Sequence, residues 1–98
     1  MGGSWRCDET YIKVKGRWTY LYRAVDKQGR TVDFLLTAKR DVAAAKRFFQ
    51  KALRTPGHPG PRVINVDGNP SYPKAITELK QTGELGRRCR CRPVRLSK

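Results

Sequence analysis

Val63-Ile64-Asn65-Val66-Asp67-Gly68 is a short β-branched run that closes on an aspartate. Such a run, bounded by turn formers, predicts a strand buried in a mixed sheet, and Gly68-Asn69-Pro70 ends it. Upstream, Cys7-Asp8-Glu9-Thr10-Tyr11 sets a second aspartate on a strand-like stretch. A bare carboxylate in either setting is costly unless positive charge meets it, and a divalent metal ion is the simplest such charge.

Around that second aspartate, residues Trp5 to Val14 alternate, with Cys7, Glu9, Tyr11 and Lys13 on one face and Asp8, Thr10, Ile12 and Val14 on the other. This is strand periodicity, and it puts Asp8 on the face of the apolar set. Lys15-Gly16-Arg17 turns the chain into the aromatic run Trp18 to Val25, and Asp26-Lys27-Gln28-Gly29 turns it again into a strand from Thr31 to Thr37. Three sequential antiparallel strands make a meander. The period then becomes helical: Asp41 is a good N-cap, and Val42, Ala45, Phe48, Phe49, Ala52 and Leu53 share a face in a helix that stops before Pro56. After Asp67, Ser71 or Asn69 is the expected cap of a second helix with Pro73 in its first turn, ending near Gly83. The tail Arg87 to Arg95 reads as a last basic strand or an exposed arm. No internal repeat is present.

The chain of 98 residues has room for one domain and a modest core, with 38% hydrophobic and 9% aromatic residues. Lys and Arg number 22 against 8 Asp and Glu, a formal charge of +14. An excess of that size repels itself in the compact state unless a polyanion shares the surface, so nucleic acid is the expected partner. A membrane partner would need a long apolar span or a basic helix with a continuous apolar face, and the sequence has neither. The opening Met1-Gly2-Gly3-Ser4 lacks the apolar stretch of a signal peptide, so a cytoplasmic location is expected. The three cysteines, Cys7, Cys89 and Cys91, are then expected as reduced thiols.

The order β-β-β-α-β-α-β, with one aspartate on the first strand and another closing the fourth, matches the α/β ribonuclease-H-like scaffold of integrase catalytic cores. At the residue level, Trp5 to Asp26, Thr31-Val32-Asp33-Phe34-Leu35-Leu36, Ala43-Ala44-Ala45, Ile64-Asn65-Val66-Asp67 and Arg92-Pro93-Val94-Arg95 resemble the catalytic domain of bacterial insertion-sequence transposases of the six family. The resemblance implies a polynucleotidyl transferase with an acidic triad, whose first two members fall on Asp8 and Asp67. In that family a glutamate follows the Arg-Pro-Val-Arg segment, whereas here Arg95 is followed by Leu96-Ser97-Lys98. The resemblance therefore implies a partial catalytic domain spanning residues 1–98 and incomplete at the C-terminus, without the third acid, the N-terminal DNA-binding region or the C-terminal helices.

The residue types suit the chemistry. DNA strand cleavage and transfer are in-line displacements at phosphorus, aided by metal ions roughly 3.5 to 4 Å apart that stabilise the attacking and leaving oxygens. Hard Mg²⁺, or Mn²⁺, prefers carboxylate oxygens and keeps several waters, so two aspartates are expected to hold one ion weakly and to give little turnover. Lys13, Lys15, Arg87, Arg88, Arg90, Arg92 and Arg95 are the expected contacts to DNA phosphates, and those contacts are blind to sequence. A scaffold short of its later helices can also expose a sheet face and form a homo-oligomer through it.

Structural readings stand beside these. Asp8 can pair with an arginine, Asp67 can serve a turn or helix cap, and Glu9, alternating away from Asp8, is expected in solvent. Asp33 is a salt-bridge partner for Lys or Arg, Asp26 belongs to a turn and His58 to an exposed loop. Cys89-Arg90-Cys91 has alternate-residue spacing poorly suited to zinc, with only Cys7 and His58 as further ligands. Trp18, Tyr20 and Tyr22 fall on one strand face, as core or as a platform for bases. Two functions follow: a metal-dependent transposase core, or a non-catalytic basic module that binds nucleic acid.

Overall fold

The computed structural model describes residues 3–55, 60–68 and 70–93. Strands β1 (Ser4–Val14), β2 (Arg17–Val25) and β3 (Thr31–Thr37) precede helix α1 (Val42–Leu53), strand β4 (Val63–Val66), helix α2 (Ser71–Thr82) and strand β5 (Arg90–Pro93). One mixed sheet runs in the order β3-β2-β1-β4-β5, with β1–β2 and β2–β3 antiparallel and β1–β4 and β4–β5 parallel. The expected element order holds throughout, and the basic tail begins as a strand. No helix among the described residues is long and apolar enough to cross a membrane.

Local chemistry explains the bounds. Lys15 and Gly16 both have positive φ, 49° and 81°, which is the two-residue turn whose twist matches a hairpin and pairs Val14 with Arg17. Asp26 holds the next turn by accepting the Gln28 and Arg30 N–H groups at 3.0 and 2.9 Å. The Asp41 carboxylate caps α1 by accepting the Ala44 N–H at 2.8 Å. Helix α2 differs from expectation: it begins at Ser71 with Pro70 in the cap position, and Pro70 has no side-chain cap bond to give. Gly83, at φ 82°, closes it in the left-handed conformation.

Both helices lie on one face of the sheet. Trp5 and Cys7 of β1, Tyr22 and Ala24 of β2, and Ile64 and Val66 of β4 pack with Phe48 and Phe49 of α1 and Tyr72, Ile76 and Leu79 of α2 in one buried cluster. Tyr22 ties the layers together, its ring 5.6 Å from Phe48 and 6.1 Å from Tyr72. Alanines 44, 45 and 52 line the core side of α1 and let the helix approach closely, and Lys46 reaches Glu78 of α2 at 3.4 Å. Each large apolar side chain so buried contributes about 1.5–3 kcal/mol.

The core face of β1 therefore carries Trp5, Cys7 and Glu9, the reverse of the expected assignment for Asp8. Asp8 lies on the uncovered face with Arg6, Thr10 and Ile12, opposite Arg23 and Leu21 of β2. The half-exposed Ile12 and Val14 belong to that open face too, and they made it look like the interior. Glu9, expected in solvent, has a side chain only 7% exposed and pairs with Arg40. A pairing partner 31 residues away gives no local sign of itself.

Candidate functional site

The parallel ladder between β1 and β4 runs from Ser4 opposite Val63 to Cys7 opposite Val66. The next residue on each side is an aspartate, Asp8 on β1 and Asp67 just past the end of β4. Burial pushes the pKa of the Cys7 thiol well up, and the nearby Asp8 and Asp67 charges both add to the rise. The two aspartates that the sequence sets far apart are thus neighbours in space.

Asp8 is 31% exposed at the side chain and faces Arg23 at 3.7 Å. The arginine is half exposed, so this is a rim pair worth at most about 1 kcal/mol, and a competing cation or phosphate can dissolve it. The sequence allows Asp8 an arginine partner, and the two-residue turn at Lys15-Gly16 makes that partner Arg23 by setting the register. Arg6, Asn65 and Arg92 form a row across β1, β4 and β5 on the same face, two residues below Asp8. At about 3.3 Å per residue, this row stands roughly 7 Å from the acids. Asn65 donates to the Trp5 carbonyl at 3.3 Å.

The expected phosphate contacts divide into three places. Arg92 belongs to the row below the acids, and Arg90, opposite Val63, lies one step further along the same face. Arg87 and Arg88 flank a cavity with Lys27, Arg62 and Lys80 at the opposite end of β4 from the acids. Lys13 and Lys15 sit at the tip of the β1–β2 ribbon. Arg95 and His58 lie outside the described residues. Arg6, Arg23 and Asn65 were not singled out from sequence, although strand alternation about Asp8 and Asp67 points to them.

Behind the acids, on the covered face, Glu9, Arg40, Tyr22 and Tyr72 form a second polar cluster. Its hydrogen bond to Glu9 holds the Arg40 guanidinium up against the opposing effect of burial, with the Asp67 charge adding to the rise. Burial raises both phenols, Tyr22 to about 12 and Tyr72 further, and the nearby Glu9 carboxylate reinforces each shift. Neither hydroxyl meets a partner at full hydrogen-bond geometry among the described residues, although Glu9 lies close to Tyr72. Asp33 pairs with Lys51 at 2.7 Å, as the sequence suggests, and accepts the Thr55 hydroxyl at 2.7 Å.

Two carboxylates, one on β1 and one just past the end of β4, are the ligand type that a hard, oxygen-seeking cation takes while it completes its shell with water. Among the described residues no group of three His, Cys, Asp or Glu side chains gathers into a fuller cage. Cys7 and Cys89 are buried and Cys91 is half-buried, all as free thiols. Burial raises the pKa of each, which makes them poor thiolate donors.

Comparison with known proteins adds to this geometry. A family profile described as a DDE domain, of the IS240 transposase type, matches residues 2–96. The chain is 42% identical over 88 residues to the uncharacterized protein pYV0051 of Yersinia pseudotuberculosis, covering 89% of this chain and 82% of that protein. It is 39% identical over 87 residues to the transposase for insertion sequence-like element IS431mec of Staphylococcus aureus, and equally to the Staphylococcus aureus transposase for IS257 in transposon Tn4003. The chain spans 38% of the length of these transposases. Among solved structures, the HTLV-2 integrase catalytic core domain in complex with magnesium superposes with a TM-score of 0.75 at 20% identity, over 95% of this chain and 60% of that one. A chain of the simian T-cell lymphotropic virus intasome in complex with PP2A regulatory subunit B56 gamma gives 0.67 at 21% identity, over 97% and 32%. At such identities the likeness is one of fold, and the fold is the ribonuclease-H-like sheet of integrase catalytic cores.

Proposed function

The chain belongs to the DDE-domain family of insertion-sequence transposases, and from that premise we propose that it forms part of a catalytic core for DNA transposition, with Asp8 and Asp67 as metal ligands. The observation that carries this reading is the register of β1 on β4, which makes the two aspartates neighbours. The motif stretches around Asp8, Asp67 and Arg92 support a finer placement in the six family. In this reading the 98 residues are a partial domain, and the third acid of the triad lies in the part of the relatives that the chain does not span.

Asp8 and Asp67 would hold Mg²⁺ or Mn²⁺ through carboxylate oxygens. The chemistry such a cation would supply is charge stabilisation of the attacking and leaving oxygens in a displacement at phosphorus. Arg6 and Arg92 supply charge for the DNA backbone beside the reacting phosphate, and Asn65 keeps the strands between them in step. Arg23, released from Asp8, turns to the same phosphates. Lys13, Lys15, Arg87, Arg88, Arg90 and Arg95 extend the contact along the DNA. Asp8 and Asp67 by themselves would hold the cation weakly and support little turnover. Assembly of more than one copy on transposon ends and target belongs to the same reading.

Thermal unfolding with increasing Mg²⁺ or Mn²⁺ tests the assignment. At about ten times its dissociation constant, a cation that binds only the folded chain adds about 1.4 kcal/mol. Asp8→Asn and Asp67→Asn should each remove the metal-dependent rise. A rise that survives in both variants would overturn it.

The Asp8–Arg23 pair favours a second reading, in which the chain is a basic nucleic-acid module and Asp8 serves structure alone. In that case Asp8→Asn leaves the metal response and the DNA affinity unchanged. Both readings give DNA binding that falls steeply with salt.

A further inference from the structure

The β1–β2 ribbon continues well past the end of β4, and its tip carries aromatic side chains that the core does not use. Tyr11 and Trp18 are 53% and 55% exposed. Tyr11 stacks on Trp18 with ring centres 4.9 Å apart and planes 20° from parallel, and meets Tyr20 at 4.6 Å on its cross-strand side. The result is a short stack, Tyr20–Tyr11–Trp18, along the helix-side face of the ribbon. Lys13, opposite Trp18 in the ladder, brings its ammonium to 5.9 Å from the indole centre. Lys15 and Arg17 complete the tip, and no ion pair among the described residues engages Lys13, Lys15 or Arg17.

Cross-strand aromatic contacts strengthen a ribbon by themselves. That accounts for the faces that Tyr11 shares with its neighbours, and it leaves the outer face of the indole uncovered except by a long lysine side chain. An exposed π-face with one cation near it and two more at the tip of the same ribbon suits a ligand that combines a flat aromatic ring with negative charge. Paired bases in a duplex hide their faces, whereas an unpaired base offers its face with a phosphate on either side.

We propose that Trp18 and Tyr11 form a stacking platform for an unpaired base of a single DNA strand, with Lys13, Lys15 and Arg17 holding the adjoining phosphates. The proposal rests on the reading of the chain as DNA-binding and adds a site distinct from the acids. Tyr11 lies on the opposite sheet face from Asp8 and about 10 Å further along β1.

The chain has two tryptophans, which makes the test specific. Trp5, 3% exposed, reports the fold, and Trp18 reports the platform. Titration with a short oligothymidylate should quench the exposed indole emission to saturation, while a duplex of equal length quenches it little. Trp18→Ala should weaken oligothymidylate binding roughly tenfold and leave duplex affinity nearly unchanged. Lys13→Gln combined with Lys15→Gln, a change confined to exposed side chains, should weaken it several-fold should the alanine variant fail to fold. Single-strand binding that neither quenches Trp18 nor responds to these variants overturns the platform and leaves the DNA reading standing. Failure to bind either form at low salt overturns both. A concentration-dependent dimer in sedimentation that Trp18→Ala dissolves, with oligothymidylate affinity unchanged, assigns the face to a second copy and overturns the platform.

Discussion

The two faces of this sheet are built on opposite terms. One is roofed by α1 and α2 and holds Trp5, Cys7, Tyr22, Ile64 and Val66 in a close-packed interior. The other carries Arg6, Asp8, Arg23, Asn65, Arg90 and Arg92 among half-exposed apolar residues, with Phe34 and Leu36 exposed. Packing forms the first face, where a charge such as Glu9 survives only with a dedicated partner. Solvent forms the second, where like charges can cluster because water screens them until a ligand arrives. Adjacent residues Asp8 and Glu9 thus have the same chemistry and opposite duties.

The largest effect that separates the faces should come from the core. Phe48→Ala should cost about 3–5 kcal/mol in denaturant unfolding, since its ring is wholly buried between Tyr22 and Phe49. Phe34→Ala on the open face should stay within about 1 kcal/mol, its ring being half exposed and 5.2 Å from the Lys51 ammonium. Equal losses would mean that packing holds the open face as firmly as the roofed one. Next in size, Glu9→Ala should destabilise by about 1–3 kcal/mol, because it leaves Arg40 without its acid beside a buried surface. Asp8→Asn should move stability by no more than about 0.5 kcal/mol in the absence of metal.

A pH series probes the same contrast with a smaller effect. Burial works to raise the Asp33 carboxyl, but hydrogen bonds from Lys51, Thr55 and the Phe34 N–H outweigh it and hold the group below its ordinary value. Its stabilisation is therefore fully present above about pH 4 and is lost as pH falls through the lower folded value. Acid titration of unfolding should show this loss, about 1 kcal/mol at most for so accessible a pair, and Asp33→Asn should abolish it.

Element order was legible because period two and period 3.6 alternate cleanly along the chain, whereas Asp8 and Asp67 stand out as a pair through the resemblance of their motifs to the transposase family, since each taken alone also fits an ion pair or a turn. The face of Asp8 was not legible. Ile12 and Val14 are apolar but lie on the uncovered side, while Glu9 and Tyr11 interrupt the core side, so alternation alone gave the wrong sign. Only the pairing of Cys7 with both Ala24 and Val66 decides it, and that pairing is a property of the assembled sheet. The Glu9–Arg40 contact was hidden for the same reason. The start of α2 reflects a competing local rule: Pro70, with φ fixed near −65°, enters the helix without a side-chain acceptor.

The side-by-side placement of Asp8 and Asp67 also says when they meet. Antiparallel pairing of the first three strands closes short loops and can form early, whereas joining residue 7 to residue 66 closes nearly the longest loop in the sheet and is favoured only once the helices are in place. If Asp8 and Asp67 hold a cation as proposed, any mutation that loosens the roof lowers its apparent affinity in proportion to the folded fraction, even from a position far from either acid.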